Sequence, residues 1–205
     1  MKIGICGGTF DPFHRGHLDP ILAARETMQW DRVLYIPAFV QPFKQDRRTT
    51  SGHHRFAMVA MVTSGLDDLF ALPLELERGA VSYAVDTLEE LRSAYPDATL
   101  DWIIGDDNLA RLHEWRSIDR IFELANFAVL TRGGAKVPPY AQVRVVSDAK
   151  RPCSGAIVFA HNPTVPVSST EIRRRVREGE SIDGLVDPLV SRYIQHYALY
   201  KGSPA

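Results

Sequence analysis

An excess of either charge is missing from this chain of 205 residues. Its 24 lysines and arginines meet 25 aspartates and glutamates, for a formal net charge of −1. So even a balance leaves no electrostatic footprint for long nucleic acid or for an anionic membrane surface. Long hydrophobic runs are missing too. Nothing approaches the roughly 20 apolar residues that cross a bilayer, so no membrane partner is expected. Cysteine is scarce, with Cys6 and Cys153 as the only two. Two thiols make neither a disulfide framework nor a metal cage, and no protein metal site is expected. Cys6, inside the first apolar run, reads as an inert buried thiol. The chain enters a strand directly after Met1, so no signal peptide is expected and a reducing cytoplasm is the expected setting. Two common nucleotide-binding signatures are absent as well, the dinucleotide pattern GxGxxG and the Walker pattern GxxxxGKS/T.

What is there is an ordinary globular composition, 45% hydrophobic and 24% charged, with enough length for a real core. Short apolar runs alternate with amphipathic segments. Strands are predicted at Lys2–Cys6, Val33–Pro37, Leu69–Leu74, Leu100–Ile104, Phe127–Thr131 and Ala156–Ala160. Helices are predicted near Leu18–Trp30, His53–Thr63, Val85–Ala94 and Ile118–Ala125, then Ser169–Glu178 and Pro188–His196. Near-continuous apolar strands alternating with helices specify an α/β fold, a parallel sheet with helices on both faces. No strand is expected after Ala160, so the chain should close in a small helical C-terminal extension. Gln41–Gly52 and Gly133–Gly155 read as polar loops, and the second is expected to be mobile or to reach a neighbouring subunit in a homo-oligomer.

The run Gly7-Gly8-Thr9-Phe10-Asp11-Pro12-Phe13-His14-Arg15-Gly16-His17 lies between the first strand and the first helix. Strand, glycine turn and helix is the order that aims backbone N–H groups at a phosphate. Gly7 and Gly8 are read as a tight turn that lets phosphate approach the backbone, with Thr9 and Phe10 supplying loop N–H groups. His14 and His17, three positions apart, share one side of the nascent helical turn. Two imidazoles there can donate to a phosphate that gains charge during reaction. Near the other end, Ser168, Thr170 and Arg173 in Val167-Ser168-Ser169-Thr170-Glu171-Ile172-Arg173 combine hydroxyls at a helix start with one guanidinium. That combination suits a triphosphate.

The first run resembles the HxGH signature of the nucleotidyltransferase superfamily, and the second resembles its (I/V)SxTxxR element. Further stretches, Pro37–Lys44, Arg78–Leu88, Ile103–Trp115 and Gly179–Tyr200, resemble the bacterial nicotinate-mononucleotide adenylyltransferases. The resemblance implies a single Rossmann-like domain over 1–205, with a core at 1–165 and the ATP-motif and C-terminal helices at 166–205. It implies transfer of AMP from ATP to nicotinate mononucleotide, giving deamido-NAD and pyrophosphate, with Mg²⁺ carried on the ATP phosphates. His14, His17 and Arg173 are implied as the catalytic set. Gly7, Gly8, Thr9, Phe10, Gly105, Asp107, Ser168 and Thr170 join them around ATP, Asp107 accepting from a ribose hydroxyl. Asp106 is expected to face solvent. Lys44, Tyr83, Ala84 and Trp115 are implied on the mononucleotide side, Trp115 stacking on the pyridine ring. The chain departs from the family at two places: Ala84 stands where a threonine is usual, and Phe43 where a histidine is usual.

Alternatives stay open at this level. The acceptor can be the amide mononucleotide or phosphopantetheine, though the Asp107 and Trp115 element argues against the latter. A nucleotide sensor without turnover is the reading from another class, and the intact His14, His17 and Arg173 argue against it.

Overall fold

Alternation decides which way each strand faces. Ile3, Ile5, Leu34, Ile36, Leu100, Trp102 and Ile104 pack on one side of the sheet, while Val33, Tyr35 and Ile103 pack on the other. With both sides apolar, the sheet must be covered twice. The computed structural model describes residues 1–44, 48–131, 137–147 and 152–202, apart from the side chain of Lys44. Among these, the strands are β1 (Lys2–Gly8), β2 (Arg32–Pro37), β3 (Leu69–Ala71), β4 (Thr99–Gly105), β5 (Asn126–Leu130) and β6 (Ile157–Ala160). They form one sheet in the order β3-β2-β1-β4-β5-β6, and every neighbouring pair is parallel. That is the doubly wound order, whose direction of winding reverses between β1 and β4. Ligands of such sheets bind in the crevice beyond the carboxyl ends of those two strands. Here Gly8 and Gly105 end them.

The helices are α1 (Arg15–Met28), α2 (Gly52–Thr63), α3 (Leu74–Arg78), α4 (Ala84–Ala94), α5 (Ile118–Leu124), α6 (Pro139–Gln142), α7 (Ser169–Glu178) and α8 (Pro188–His196). Helices α1, α2, α7 and α8 cover one face through Ile21, Met58, Ile172 and Ile194. Helices α4 and α5 cover the other through Leu88, Leu91 and Ile121. The C-terminal helices therefore share the core of the sheet.

Several boundaries differ from expectation for local reasons. Helix α1 begins at Arg15 rather than Leu18, because His14 acts as its N-cap in extended backbone. Strand β3 stops at Ala71. Pro73 has no N–H for a ladder, and α3 starts directly after it. The 3-10 helix Asp106–Glu114 follows β4 without a loop. Within the polar stretch 133–155, Pro138-Pro139 opens α6, and Val145 pairs in parallel with Ile157. Residues 132–136 and 148–151 of that region lie outside the described residues, as do 45–47 in the earlier loop. Cys6 is half-buried rather than fully buried. No helix among the described residues is long and apolar enough to cross a membrane.

Candidate active site

The first helical turn of α1 carries two stacked imidazoles. The His14 and His17 rings lie 3.7 Å apart at 18°. The His14 backbone N–H donates to His17 Nδ1 at 3.3 Å. With Nδ1 accepting, the neutral His17 ring carries its proton on Nε2, the tautomer a phosphate oxygen needs. The ring is also held by packing. Phe10 meets it edge-on at 5.0 Å, and Phe13 stacks on it at 5.7 Å. The hydroxyl of fully buried Tyr35 donates to the His17 carbonyl at 3.3 Å. No acid stands in the first turn of α1, so its dipole favours an anion at this end.

The glycines of this motif work differently from expectation. Gly7 and Gly8 are not a turn; they are the extended last residues of β1, paired with Ile36 and Pro37. Their lack of a side chain makes room for rings: a Cβ on Gly7 would meet Trp102 at 2.9 Å, and one on Gly8 would meet Phe10 at 2.9 Å. The left-handed turn comes at Phe10, with φ of 51° and its side chain in the core. Only the backbone of Phe10 can therefore serve a ligand.

The second motif is pressed onto the first. A Cβ on Gly16 would stand 3.1 Å from the Val167 carbonyl, so the glycine between the histidines admits the other motif's backbone. Ser169 Oγ donates to the Pro12 carbonyl at 3.1 Å across 157 positions. One Arg173 N–H donates to the Asp11 carbonyl at 2.6 Å, and another to Thr170 Oγ1 at 3.4 Å. Ser168 caps α7 by accepting from the Glu171 N–H at 3.2 Å, and Gly179 ends the helix with φ of 73°. The neighbouring arginines are spent locally. The guanidiniums of Arg174, then Arg175, hold the Glu171 carboxyl down at about 2. Arg173 forms no ion pair among the described residues, so no carboxylate there offsets its charge.

A buried arginine that composition alone did not flag ties this region to the next loop. Arg55 of α2 is 2% exposed. It donates to the carbonyls of Thr9 at 2.7 Å, Ala38 at 2.7 Å and Thr50 at 2.9 Å. Burial lowers its pKa, and the Asp11 carboxylate opposes that. Arg55 thus pins the loop after β1 to the loop after β2.

The residues that the resemblance assigns to the mononucleotide gather around that second loop. The Ser82 N–H donates to the Val40 carbonyl, and the Phe39 N–H donates to Ser82 Oγ, both at 2.9 Å. Beneath them Glu75 is 3% exposed and accepts from Thr87 Oγ1 at 2.7 Å. Burial raises its carboxyl pKa, against the hydrogen bonds from Thr87 and Ser82. Tyr83 is the N-cap of α4, without a side-chain cap bond, and Ala84 is the first helical residue. Trp115 is half-buried and meets Phe127 edge-on at 5.6 Å. The next residue, Arg116, lies 4.6 Å over the Tyr83 ring, so the Trp115 and Tyr83 segments adjoin. Phe43 is exposed and stacks with the Arg111 guanidinium at 4.4 Å. Lys44 closes the short 3-10 turn Pro42–Lys44, and its side chain lies outside the described residues.

At the end of β4 the two carboxylates differ from one expectation. Asp106 is 3% exposed rather than solvent-facing. It continues the inward parity of Trp102 and Ile104 and is then covered by the 3-10 helix. Asp107, next to Gly105 at the strand end, is exposed, and Asn108 donates to it at 3.2 Å. Sequence reasoning missed Arg55 and did not use Asp11, Ser169 or Tyr200. A lone arginine directly before the apolar stretch Phe56–Thr63 was the available signal for the first; the others act only across the fold.

Comparison with known proteins agrees with this arrangement. A family model described as cytidylyltransferase-like matches residues 5–175. A protein of Gemmatimonas aurantiaca described as a probable nicotinate-nucleotide adenylyltransferase is 40% identical over 205 residues, covering 100% of this chain and 94% of the relative. One so described from Desulfatibacillum aliphaticivorans is 36% identical, covering 98% and 100%. Among solved structures, the nicotinic acid mononucleotide adenylyltransferase of Plasmodium falciparum complexed with NaAD shares the fold, with a TM-score of 0.74 at 20% identity and 98% coverage of both chains. By matches that run through nearly its whole length, the chain belongs to the cytidylyltransferase-like family and, within it, to the nicotinate-nucleotide adenylyltransferases.

Proposed function

We propose that the chain transfers the adenylyl group of ATP to the 5′-phosphate of nicotinate mononucleotide, giving deamido-NAD and pyrophosphate. An oxygen of the 5′-phosphate attacks the α-phosphorus of ATP, and the bond to the β-phosphate bridging oxygen breaks. The attacking phosphate is already ionised, so the step needs no general base. Catalysis is then positioning plus absorption of charge. His17, with its proton on Nε2, and His14 beside it serve the α- and β-phosphates. Arg173 and the hydroxyls of Ser168 and Thr170 hold the rest of the triphosphate, with the backbone of Thr9 and Phe10 lining the loop. Asp107 at Gly105 takes the ribose diol. Trp115 offers a flat face to the pyridinium, and the first N–H groups of α4, from Ala84 onward behind an N-cap with no side-chain cap bond, suit its carboxylate.

The observation that carries this reading is the joining of the two motifs, with Arg173 donating to Asp11 and Gly16 against Val167. Mg²⁺ would be carried in on the ATP phosphates, held by their oxygens and by water. When bound, that ion neutralises charge on the phosphates. The reaction's setting in this reading is the cytoplasm, where an exposed Cys153 stays reduced. Pyrophosphate release is the test, measured with ATP and nicotinate mononucleotide, nicotinamide mononucleotide or phosphopantetheine in turn. Highest kcat/KM for the nicotinate acceptor is expected. Preference for another acceptor overturns the substrate, and ATP binding without pyrophosphate from any acceptor overturns the chemistry.

A further inference from the structure

Nothing described so far uses the far C-terminus, yet it reaches the centre of the phosphate loop. After α8 the chain turns back through Ala198 and Tyr200, both left-handed, with φ of 50° and 66°. A bulky residue adopts that conformation only where its surroundings hold it. The Leu199 N–H closes the turn on the Ile194 carbonyl at 3.0 Å. Tyr200 then donates its hydroxyl to Asp11 Oδ1 at 2.7 Å, across 189 positions. Burial, then the Asp11 charge, raises the tyrosine pKa, so the hydroxyl stays a donor at neutral pH.

Asp11 has two ends with two duties. Its carboxylate is held by the Tyr200 hydroxyl and by the Thr50 N–H at 3.1 Å. Its carbonyl accepts from Arg173 at 2.6 Å. Asp11 is 6% exposed, so turning its peptide to release one end disturbs the other. Docking of α8 does not depend on this bond. Helix α8 is already fixed to α2 by His54 Nδ1 and the Tyr193 hydroxyl, 2.9 Å apart, and by its own core residues Val190 and Ile194. The Tyr200 hydroxyl is therefore not needed to dock α8: it donates to Asp11 and is met by the Thr50 side chain, both at the phosphate loop.

We infer that Tyr200 is a positioning residue of the triphosphate site: its hydroxyl orients Asp11, whose carbonyl in turn sets the Arg173 guanidinium. The inference rests on the assignment of Arg173 to ATP made above. It makes the C-terminal segment a strap across the phosphate loop, and it ties ATP affinity to Tyr200, the last tyrosine of the sequence.

The experiment is a double-mutant cycle with Tyr200→Phe and Arg173→Ala. Binding of a non-hydrolysable ATP analogue is read by calorimetry, and KM and kcat for both substrates by pyrophosphate release. Tyr200→Phe alone should weaken analogue binding and raise the ATP KM roughly three- to tenfold, leaving kcat and the mononucleotide KM within about twofold. In the Arg173→Ala background it should add less than about twofold, because the residue it acts through is gone. An unchanged ATP constant, an equal loss for both substrates, or a full effect surviving in that background each overturns the inference. Should Tyr200→Phe fail to fold, carboxypeptidase trimming of the parent protein decides instead. ATP should slow removal of Tyr200 and the mononucleotide alone should not; equal rates overturn the inference. Analogue binding needs no turnover, so it reads Tyr200 even where no acceptor yields pyrophosphate, the outcome that sinks the proposed function.

Discussion

The two ends of the site are held by different kinds of contact. At the phosphate end, charged and polar groups bind main-chain atoms inside the fold: Arg55 to four carbonyls, Arg173 to a fifth, Asp11 to a backbone N–H and a tyrosine. At the mononucleotide end a buried Glu75–Thr87 hydrogen bond lies beneath, but the side chains at the surface are exposed and lean on one another. Arg111 stacks on Phe43 and Arg116 on Tyr83, and their carboxylate partners Glu114 and Asp86 stand in solvent or near it. Exposed contacts of that sort are worth about 0.5–1 kcal/mol each. Buried hydrogen bonds to a charged group are worth ~1.5–3 kcal/mol, and their loss costs more. The difference suits the chemistry. The triphosphate must be met by donors already in place, since reorganisation during the reaction would return the gain. A pyridine ring and one carboxylate ask less of their surroundings, and the two departures from the usual family residues, Phe43 and Ala84, both stand at this end.

Breaking the phosphate end at its pin should have the largest effect. Arg55→Met removes the donors to Thr9, Ala38 and Thr50 and leaves buried carbonyls unsatisfied. A loss of about 3–5 kcal/mol is expected, lowering the melting midpoint by on the order of 10 °C. A thermal melt within two degrees of the parent, about 2 °C, shows instead that water takes over the carbonyls and that this end is no more rigid than the other.

His17→Ala tests the same end without unfolding it. The ring's proton sits on Nε2 and its packing against Phe10 and Phe13 holds it in place, so its loss should appear mainly in kcat. A positioned donor acting in the transition state is worth ~3 kcal/mol, roughly a hundredfold in rate. Stopped turnover assays at saturating ATP measure it; a folded variant with parental kcat removes His17 from the catalytic set.

How far each end could be read in the sequence follows the same division. The strands, the helix that opens on the HxGH run and the capped helix with Arg173 are local patterns, and they stand where expected to within a few residues at their ends, because apolar parity and helix caps act over a few residues. The ties that make the phosphate end rigid are non-local. Nothing near Tyr200 or Ser169 names Asp11 or Pro12 as a partner, at separations of 189 and 157. Gly7 and Gly8 show a subtler failure. Glycine suggested a turn, but the need for it came from the rings of Trp102 and Phe10. Asp106 and Asp107 look alike as neighbours, and only the start of a 3-10 helix directly at the strand end sends one inward and the other out.

At the mononucleotide end, Trp115→Ala should raise the KM of the pyridine mononucleotide by ~1–2 kcal/mol, or roughly five- to thirtyfold, and barely move that of ATP. Half of the ring is buried against Phe127, so some loss of stability accompanies it. The ratio of the two KM changes separates the roles. If both rise equally, Trp115 is core packing and the acceptor face must be sought elsewhere.

The smallest expected effect sharpens the comparison most, because it adds a contact where the softer end lacks one. Ala84 is the first residue of α4, behind an N-cap, Tyr83, that makes no side-chain cap bond. The backbone N–H groups there favour a carboxylate over an amide, whose NH₂ meets donors with a donor. The parent should therefore prefer the acid mononucleotide. Ala84→Thr places a hydroxyl at the same helix start, and Ala84 is only half-buried, so a β-branched side chain has room to turn outward. A hydrogen bond at a partly solvated site contributes about 0.5–1.5 kcal/mol, so the acid-over-amide ratio of kcat/KM should rise roughly two- to tenfold. Measured side by side in both proteins, that ratio distinguishes two cases. A rise means that the end held by exposed contacts can be tightened one donor at a time. No change means that the backbone N–H groups already saturate the carboxylate and that this end too is preorganised.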